Sequence, residues 1–253
     1  MKLLPFMSRH LLLLIVVLWS VGSSVLAQKG STQDKERIDN LLASAKNNIN
    51  RSNLSGALTQ AQSALELAES IDNVQKSWEA KNLVGEIYLT QNDFQKAIHI
   101  FLEMSMRSEK VNNFSVSANG YLSLANIYSH MGAFTKANET YELAYDQFDK
   151  IDYEVGMIEV KAAASLNYLT ANNLDKALIS YNKLLDLATK DNLAYFKLIA
   201  HDGLLEVYQK LKDTKKGIEV GTSYLVLIEK EGGSEQMVAN AHNRMGALYL
   251  NDN

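Results

Sequence analysis

The amino-acid sequence predicts an all-α protein built from tandem antiparallel helix pairs, and three observations support this fold class. The only proline among the 253 residues is Pro5, so proline interrupts no later helix. Apolar residues fall at three- and four-residue steps, as in Leu83, Val84 and Ile87. The same pattern returns with a 40-residue period, which is typical of a repeat protein.

Residues 1–27 have the features of a secretory signal peptide. Lys2 and Arg9 precede an unbroken apolar run over residues 11–19, and Val25 and Ala27 supply the small residues of a cleavage site. We predict cleavage after Ala27 and export to a bacterial periplasm or the cell exterior. The alternative is an uncleaved membrane anchor, although the run has about half of the roughly 20 residues that span a bilayer.

The composition is that of a folded chain and excludes several classes of function. Hydrophobic residues make up 47% and charged residues 21%, which is too little charge for a disordered chain. The formal net charge of −4 lacks the basic excess of a nucleic-acid-binding protein. Because there is no cysteine, the sequence also excludes disulfides, thiolate metal sites and a cysteine nucleophile.

Three columns of equivalent residues recur along the chain with this 40-residue period. The first column contains tyrosines, the last of which is displaced by one further position: Tyr88, Tyr128, Tyr168, Tyr208 and Tyr249. The second contains small residues: Ala57, Ala97, Ala137, Ala177 and Gly217. The third is aromatic: Phe101, Tyr141 and Tyr181. Each unit is therefore a pair of helices of about 18 residues, each about 27 Å long.

Short polar residues mark where the second helix of a unit begins. Asp93, Asn173 and Asp213 stand just before that helix, where their side chains can accept hydrogen bonds from its free amide groups. We predict one solenoid domain over residues 28–253. Its units cover about residues 38–77, 78–117, 118–157, 158–197 and 198–237, followed by a final half unit at 238–253.

One unit departs from the column pattern. Leu205 stands where other units have a small residue, while Gly217 and Gly221 occupy the small and aromatic columns of the following helix. Two glycines inside a helix cost about 2 kcal/mol, so we expect them to have a packing purpose. We interpret them as making room for Leu205 between facing helices.

The small residue followed three positions later by tyrosine resembles the first helix of the tetratricopeptide repeat (TPR) family, in its 40-residue form. Ala125 with Tyr128 shows this spacing, and Ala137 with Tyr141 matches the family's second helix. The first unit is degenerate, with Asn48 where the tyrosine is expected. The resemblance implies a right-handed α-solenoid whose inner surface is lined by the first helix of each unit.

The resemblance also implies a groove that binds a protein or peptide segment. The family's groove positions fall on these residues: Glu79, Asn82, Glu86, Asn119, Leu122, Asn126, His130, Asp202, Glu206, Gln209, Asn243 and Arg244. Acids outnumber bases among them, which favours a neutral or basic peptide. Leu122, in place of a base four residues before Asn126, argues against a receptor for C-terminal carboxylates. The alternative is that these side chains form only a solvated polar face.

No catalytic signature is present in the sequence. It lacks a glycine-rich phosphate loop, a His-Glu-x-x-His helix and a Gly-x-Ser-x-Gly elbow. His201 and His242 share one column on neighbouring first helices, and we interpret them as partly buried packing residues. We therefore predict a non-enzymatic protein with no metal and no cofactor.

Two functions are consistent with these features. The first is an exported scaffold that binds another protein, whose identity the sequence does not give. The second is signal transduction, as the exported sensor region of a membrane-bound two-component histidine kinase or helix-turn-helix regulator whose output domain lies beyond residue 253. Gly246 and Tyr249 repeat the first-helix signature, so we expect a further helix to pack there and the chain to be a fragment. A homodimer through this terminal helix is the alternative.

Overall fold

The computed structural model describes residues 32–251, which form eleven α-helices and no strand. The helices confirm the predicted all-α array of helix pairs, and all are 16–18 residues long from α2 to α11. Their bounds are α1 32–50, α2 Leu54–Ser70, α3 Val74–Thr90, α4 Phe94–Lys110, α5 Phe114–His130, α6 Phe134–Asp149, α7 Glu154–Thr170, α8 Leu174–Lys190, α9 Ala194–Leu211, α10 Thr214–Glu231 and α11 Glu235–Asn251.

The signal peptide predicted over residues 1–27 lies outside the described residues, so its cleavage after Ala27 stays a prediction. Between residues 32 and 251, no helix combines the length and the apolar character that crossing a membrane requires.

Every turn ends its helix in the same way. A residue with φ between 51° and 76° recurs with a 20-residue period: Ser52, Asp72, Asn92, Asn112, Gly132, Asp152, Asn172, Asn192, Lys212 and Gly232. The next residue then donates its amide hydrogen to a carbonyl five positions earlier, as Asn173 does to Tyr168 at 2.9 Å. This bond defines a Schellman motif, which satisfies carbonyl groups at a helix end. The 40-residue repeat is therefore two copies of one 20-residue helix and turn.

The predicted helix caps are confirmed. The side chains of Asp93, Asn173 and Asp213 each accept a hydrogen bond from the amide three residues later, at 3.1–3.3 Å. Asn73 and Asn113 cap first helices in the same way. The turns at residues 72 and 112 lie five residues before the predicted ends of repeats at residues 77 and 117. The predicted repeats are aligned on columns of residues in the middle of helices, which do not mark where a helix ends.

The chain forms two compact units, each larger than one 40-residue repeat. From here on, the first unit is the part up to Ile100 and the second unit is the part from Phe101. In the first unit, α2 buries a stripe of alanines at three- and four-residue steps: Ala57, Ala61, Ala64 and Ala68. Small side chains let helices approach closely. Ile38 and Leu42 of α1 and Leu83 and Ile87 of α3 complete this core.

The core of the second unit corrects the interpretation of its glycines. A side chain at Gly217 would overlap Leu248 of α11, so it is Leu248, and not Leu205, that fills this space. A Cβ at Gly221 would lie 2.6 Å from Met245 and 3.4 Å from Leu205. The two glycines thus admit side chains from two first helices, α9 and α11.

The terminal helix α11 has one open face. A Cβ added to Gly246 would meet no atom within 4 Å. Leu250 is 80% exposed. Among the residues that the structure describes, no helix therefore packs at the position where the sequence pattern leads us to expect one.

Candidate functional site

A cavity of about 430 Å³ lies in the second unit. The first helices α7, α9 and α11 form most of its lining, and α8 and α10 contribute one tyrosine each. Its apolar side chains include Leu166, Leu169, Leu198, Ile199 and Met237. Its charged side chains are Asp202 and Glu206.

Small residues form part of the cavity lining. Gly203 of α9 has no side chain, and the ring of Tyr181 packs directly against its backbone, where a Cβ would overlap the ring. Ala162 and Ala163 of α7 also line the cavity. Leu166 lies on the same helix and is 57% exposed, which leaves an apolar side chain accessible to a ligand.

Charges surround the cavity unevenly. Arg244 of α11 contacts Glu206 at 2.6 Å and Asp202 at 3.7 Å, and Lys210 approaches Glu206 at 3.9 Å. Burial raises the pKa of Asp202 above its ordinary value and Glu206 adds to this rise, while Arg244 acts in the opposite direction. The negative charge of Asp202 is therefore less compensated by bases than that of Glu206.

Two tyrosines line the cavity and are almost completely buried. Tyr181 of α8 is 2% exposed and Tyr224 of α10 is 1% exposed. Burial raises the pKa of Tyr224 to about 12 and also raises the pKa of Tyr181. Both hydroxyl groups are thus protonated at neutral pH and can donate hydrogen bonds.

A second cavity, of about 490 Å³, adjoins the first through Glu206. Its other lining residues are Gln209, Lys210, Lys212 and Arg244, so bases outnumber acids there. In the first unit, a cavity of about 490 Å³ lies between α1 and α2. None of the groove residues predicted from the sequence lines that cavity.

The structure brings together four of the predicted site residues. Asp202, Glu206, Gln209 and Arg244 line or contact the two joined cavities of the second unit. Asn243 is exposed on α11 and lines neither cavity. The predicted positions on α9 and α11 thus converge, as their spacing in the repeat implies.

The predicted residues of α5 do not form such a site. Leu122 is only 8% exposed, so its assignment to the groove surface is wrong and it belongs to the core. Asn119 donates to the Ser115 carbonyl of its own helix at 2.8 Å. Asn126 accepts a hydrogen bond from Tyr141 at 2.6 Å, and His130 is the exposed last residue of α5.

The predicted residues of α3 lie in the first unit. Asn82 donates to Glu86 at 2.7 Å. Glu79 is paired with Lys76 at 2.9 Å and with Lys46 at 3.8 Å. These side chains therefore satisfy one another locally.

The two histidines of one column differ. The His201 ring stacks on Tyr224 with centroids 6.2 Å apart, and its Nδ1 lies 2.8 Å from the Lys197 carbonyl, which confirms a packing role. His242 is exposed, so the same interpretation is wrong for that residue. Within the described part of the chain, no group of three or more histidine or acidic side chains is placed to hold a metal ion.

Tyr181, Gly203 and Tyr224 line the cavity but are not among the site residues predicted from the sequence. One sequence difference points to Tyr181. Leu166 stands 40 residues after Asn126, at the equivalent position of the next repeat, so α7 lacks the side-chain acceptor that Tyr141 uses on α5. The contacts between helices are needed to see that Asn126 is the acceptor of Tyr141, and therefore that Tyr181 lacks one.

Tandem helix pairs whose first helices line the cavity define the fold as a TPR-like α-solenoid. No model of a known protein family matches the sequence, and no curated protein does. BtubC (BKLC) from P. vanneervenii has a similar structure, with a TM-score of 0.65 and 17% identity over 85% of this chain and 84% of that one.

Two further solved structures share the fold. The TPR-like repeats of a kinesin light chain from Podosopora anserina give a TM-score of 0.64 at 12% identity, over 78% of this chain and 98% of that one. The Rap conjugation gene regulator of plasmid pLS20, solved in complex with the Phr* peptide, gives 0.61 at 13% identity, over 85% of this chain and 59% of that one. At these identities, the likenesses establish the fold.

Proposed function

We propose that the protein is a non-enzymatic scaffold that binds a peptide or protein segment in the cavity of α7, α9 and α11. One observation carries the proposal: an apolar cavity of about 430 Å³ is bordered by a few convergent polar groups. This size and lining are typical of ligand sites, which are mostly apolar with a small number of placed polar residues. The Rap regulator with a similar fold was solved with a peptide, which supports this ligand class.

The charges favour a neutral or basic residue in this cavity. Both charged side chains that line it are carboxylates, and Asp202 has one cationic contact, to Arg244 at 3.7 Å. A cation or amide donor from a ligand would compensate this partly buried charge, whereas a carboxylate would be repelled.

Selection of peptides from a random phage-displayed library on the purified protein tests the proposal. Peptides that bind should lose about tenfold in affinity for the Asp202→Asn variant, because a charge-assisted contact is replaced by a neutral one. Glu229→Gln on α10 is the matched control, since it removes the same charge from an exposed position outside the cavity. Equal affinity for the wild type and for Asp202→Asn would place the binding site elsewhere.

We also propose export, on the basis of the signal-peptide features in residues 1–27. The intact mass of the protein recovered from an envelope fraction tests this. A mass that begins at Gln28 would support cleavage, and a mass that includes residues 1–27 would support a membrane anchor. The alternative function, an exported sensor region, would require a kinase or DNA-binding segment encoded after residue 253, and sequencing of the gene decides this point.

A further inference from the structure

The hydroxyl groups of the two cavity tyrosines are unpaired within the part of the chain that the structure describes. Among those residues, neither Tyr181 nor Tyr224 has a hydrogen-bond acceptor. Neither hydroxyl is among the fully buried unpaired side-chain atoms of residues 32–251, which belong to Trp78, Asn138 and Asn167. Each hydroxyl oxygen therefore keeps some accessible surface, and the cavity that both side chains line supplies it.

A matched tyrosine in the same unit shows the usual arrangement. Tyr141 occupies the same aromatic column as Tyr181, one repeat earlier, and is also 2% exposed. Its hydroxyl donates to Asn126 at 2.6 Å. Buried hydroxyl groups are normally paired in this way, because an unpaired buried donor costs free energy. Tyr181 and Tyr224 are thus two donors available to a ligand.

We propose that Tyr181 and Tyr224 donate hydrogen bonds to a neutral carbonyl group of a bound peptide, while an apolar side chain of the same residue occupies the cavity. This inference rests on the proposed function and specifies the chemistry of its ligand. The apolar side chain would contact residues such as Leu198, Ile199 and Met237, which lie on α9 and α11.

The acceptor is a neutral carbonyl and not a carboxylate because of the charges around the tyrosines. Asp202 and Glu206 line the cavity with them, and each carboxylate acts on Tyr181 more strongly than Arg244, which acts with the opposite sign. Arg244 contacts both Glu206 and Asp202, Lys210 contacts Glu206, and both bases line the adjoining cavity. An anionic acceptor would therefore meet like charge, whereas an adjacent amide or amine of the ligand can donate to Asp202.

Three small probes test this chemistry on the purified protein: N-acetyl-L-leucine methylamide, L-leucine methylamide and N-acetyl-L-leucine. The first is neutral, the second cationic and the third anionic, and all carry the same side chain. Binding is followed by NMR of ¹³C-methyl methionine, because Met237 lines the cavity. We expect the neutral and cationic probes to shift the Met237 signal, with at least tenfold weaker binding of the anionic probe.

Variants then assign the hydroxyl groups. Tyr181→Phe and Tyr224→Phe should each weaken the neutral probe about three- to tenfold, the loss of one neutral hydrogen bond, while thermal stability is unchanged or higher. Tyr141→Phe is the control, because its hydroxyl is already paired with Asn126. This variant should bind the probe as the wild type does and should be less stable.

The outcomes separate this inference from the proposed function. Equal probe affinity in the wild type and both cavity phenylalanine variants would overturn it, as would no Met237 response to any probe. A loss of stability in Tyr181→Phe would also overturn it, because the hydroxyl would then serve the fold. Selected peptides that bind at Asp202 without sensitivity to the tyrosines would leave only the proposed function standing.

Discussion

The aromatic column of the second unit contains two tyrosines with the same position in the repeat and different surroundings. Tyr141 is held by Asn126, whereas Tyr181 has Leu166 in the place of that asparagine. Gly203 packs against Tyr181 and occupies the position that Ala163 occupies one 40-residue repeat earlier. The difference shows how copies of one repeat can diverge: a few substitutions leave one tyrosine without its partner, beside an open cavity.

The largest expected effect comes from filling the space at Gly203. A leucine there would overlap the buried Tyr181 ring, and overpacking of this kind typically costs about 1–3 kcal/mol. We expect Gly203→Leu to lower the free energy of unfolding by about 3 kcal/mol, measured by urea denaturation. An unfolding curve like that of the wild type would show that Tyr181 does not depend on this glycine.

The paired hydroxyl distinguishes the two tyrosines in stability. Tyr141→Phe leaves Asn126 without its donor and should cost about 1 kcal/mol. Tyr181→Phe removes a hydroxyl that has no acceptor in the described structure and should leave the free energy of unfolding unchanged. Thermal melts of the two variants measure the contrast, and equal losses would contradict it.

Substitution of Gly246, on the open face of α11, should change the free energy of unfolding in the opposite direction to substitution of Gly203. A Cβ at Gly246 of α11 meets no atom, so alanine there brings only its better helix propensity. We expect Gly246→Ala to raise the free energy of unfolding by up to about 1 kcal/mol in urea denaturation. A destabilised variant would instead indicate that another surface, such as a second copy of the chain, packs closely at Gly246.

The smallest effect concerns Asp202 and depends on pH. Because burial raises its pKa above the ordinary 3.8, the folded state binds the proton more tightly than the unfolded state does. Stability from this group is therefore present at low pH and is lost as the pH rises through the raised folded pKa. Asp202→Asn should remove this dependence and stabilise the protein at pH 7 by no more than about 0.5 kcal/mol, because solvent screens a side chain that is 38% exposed; urea denaturation at several pH values measures this. A lower stability at pH 7 would mean that the contact with Arg244 outweighs burial.

The helix pairs were predictable because each one repeats the same physical requirements. Alanine and tyrosine columns specify the packing, and capping residues such as Asp93 and Asn173 accept amide hydrogens where helices begin. The shorter period of the turns is also present in the sequence, because eight of the ten left-handed residues are asparagine, aspartate or glycine, which adopt this conformation most readily. Ser52 and Lys212 are the two exceptions, and the alanine and tyrosine columns repeat only every 40 residues, so the columns alone do not reveal the 20-residue period.

The site was predictable only in part. Asp202, Glu206 and Arg244 follow from the repeat register, since polar residues at equivalent positions of neighbouring first helices come together. The cavity itself depends on Gly203 admitting the Tyr181 ring, a contact between helices of different units of the repeat. Register also misplaced Leu122, because the same position is accessible in one helix and buried in another.

The comparison of Tyr141 with Tyr181 is tested most directly by giving Tyr181 the asparagine acceptor that Tyr141 has. Leu166→Asn gives α7 the asparagine that α5 has at Asn126, and Leu166 is 57% exposed, so little packing is lost. The new side chain should accept from Tyr181, raise the free energy of unfolding by about 1 kcal/mol and weaken N-acetyl-L-leucine methylamide at least threefold. Unchanged affinity for the probe in this variant would contradict the assignment of the Tyr181 hydroxyl to a ligand.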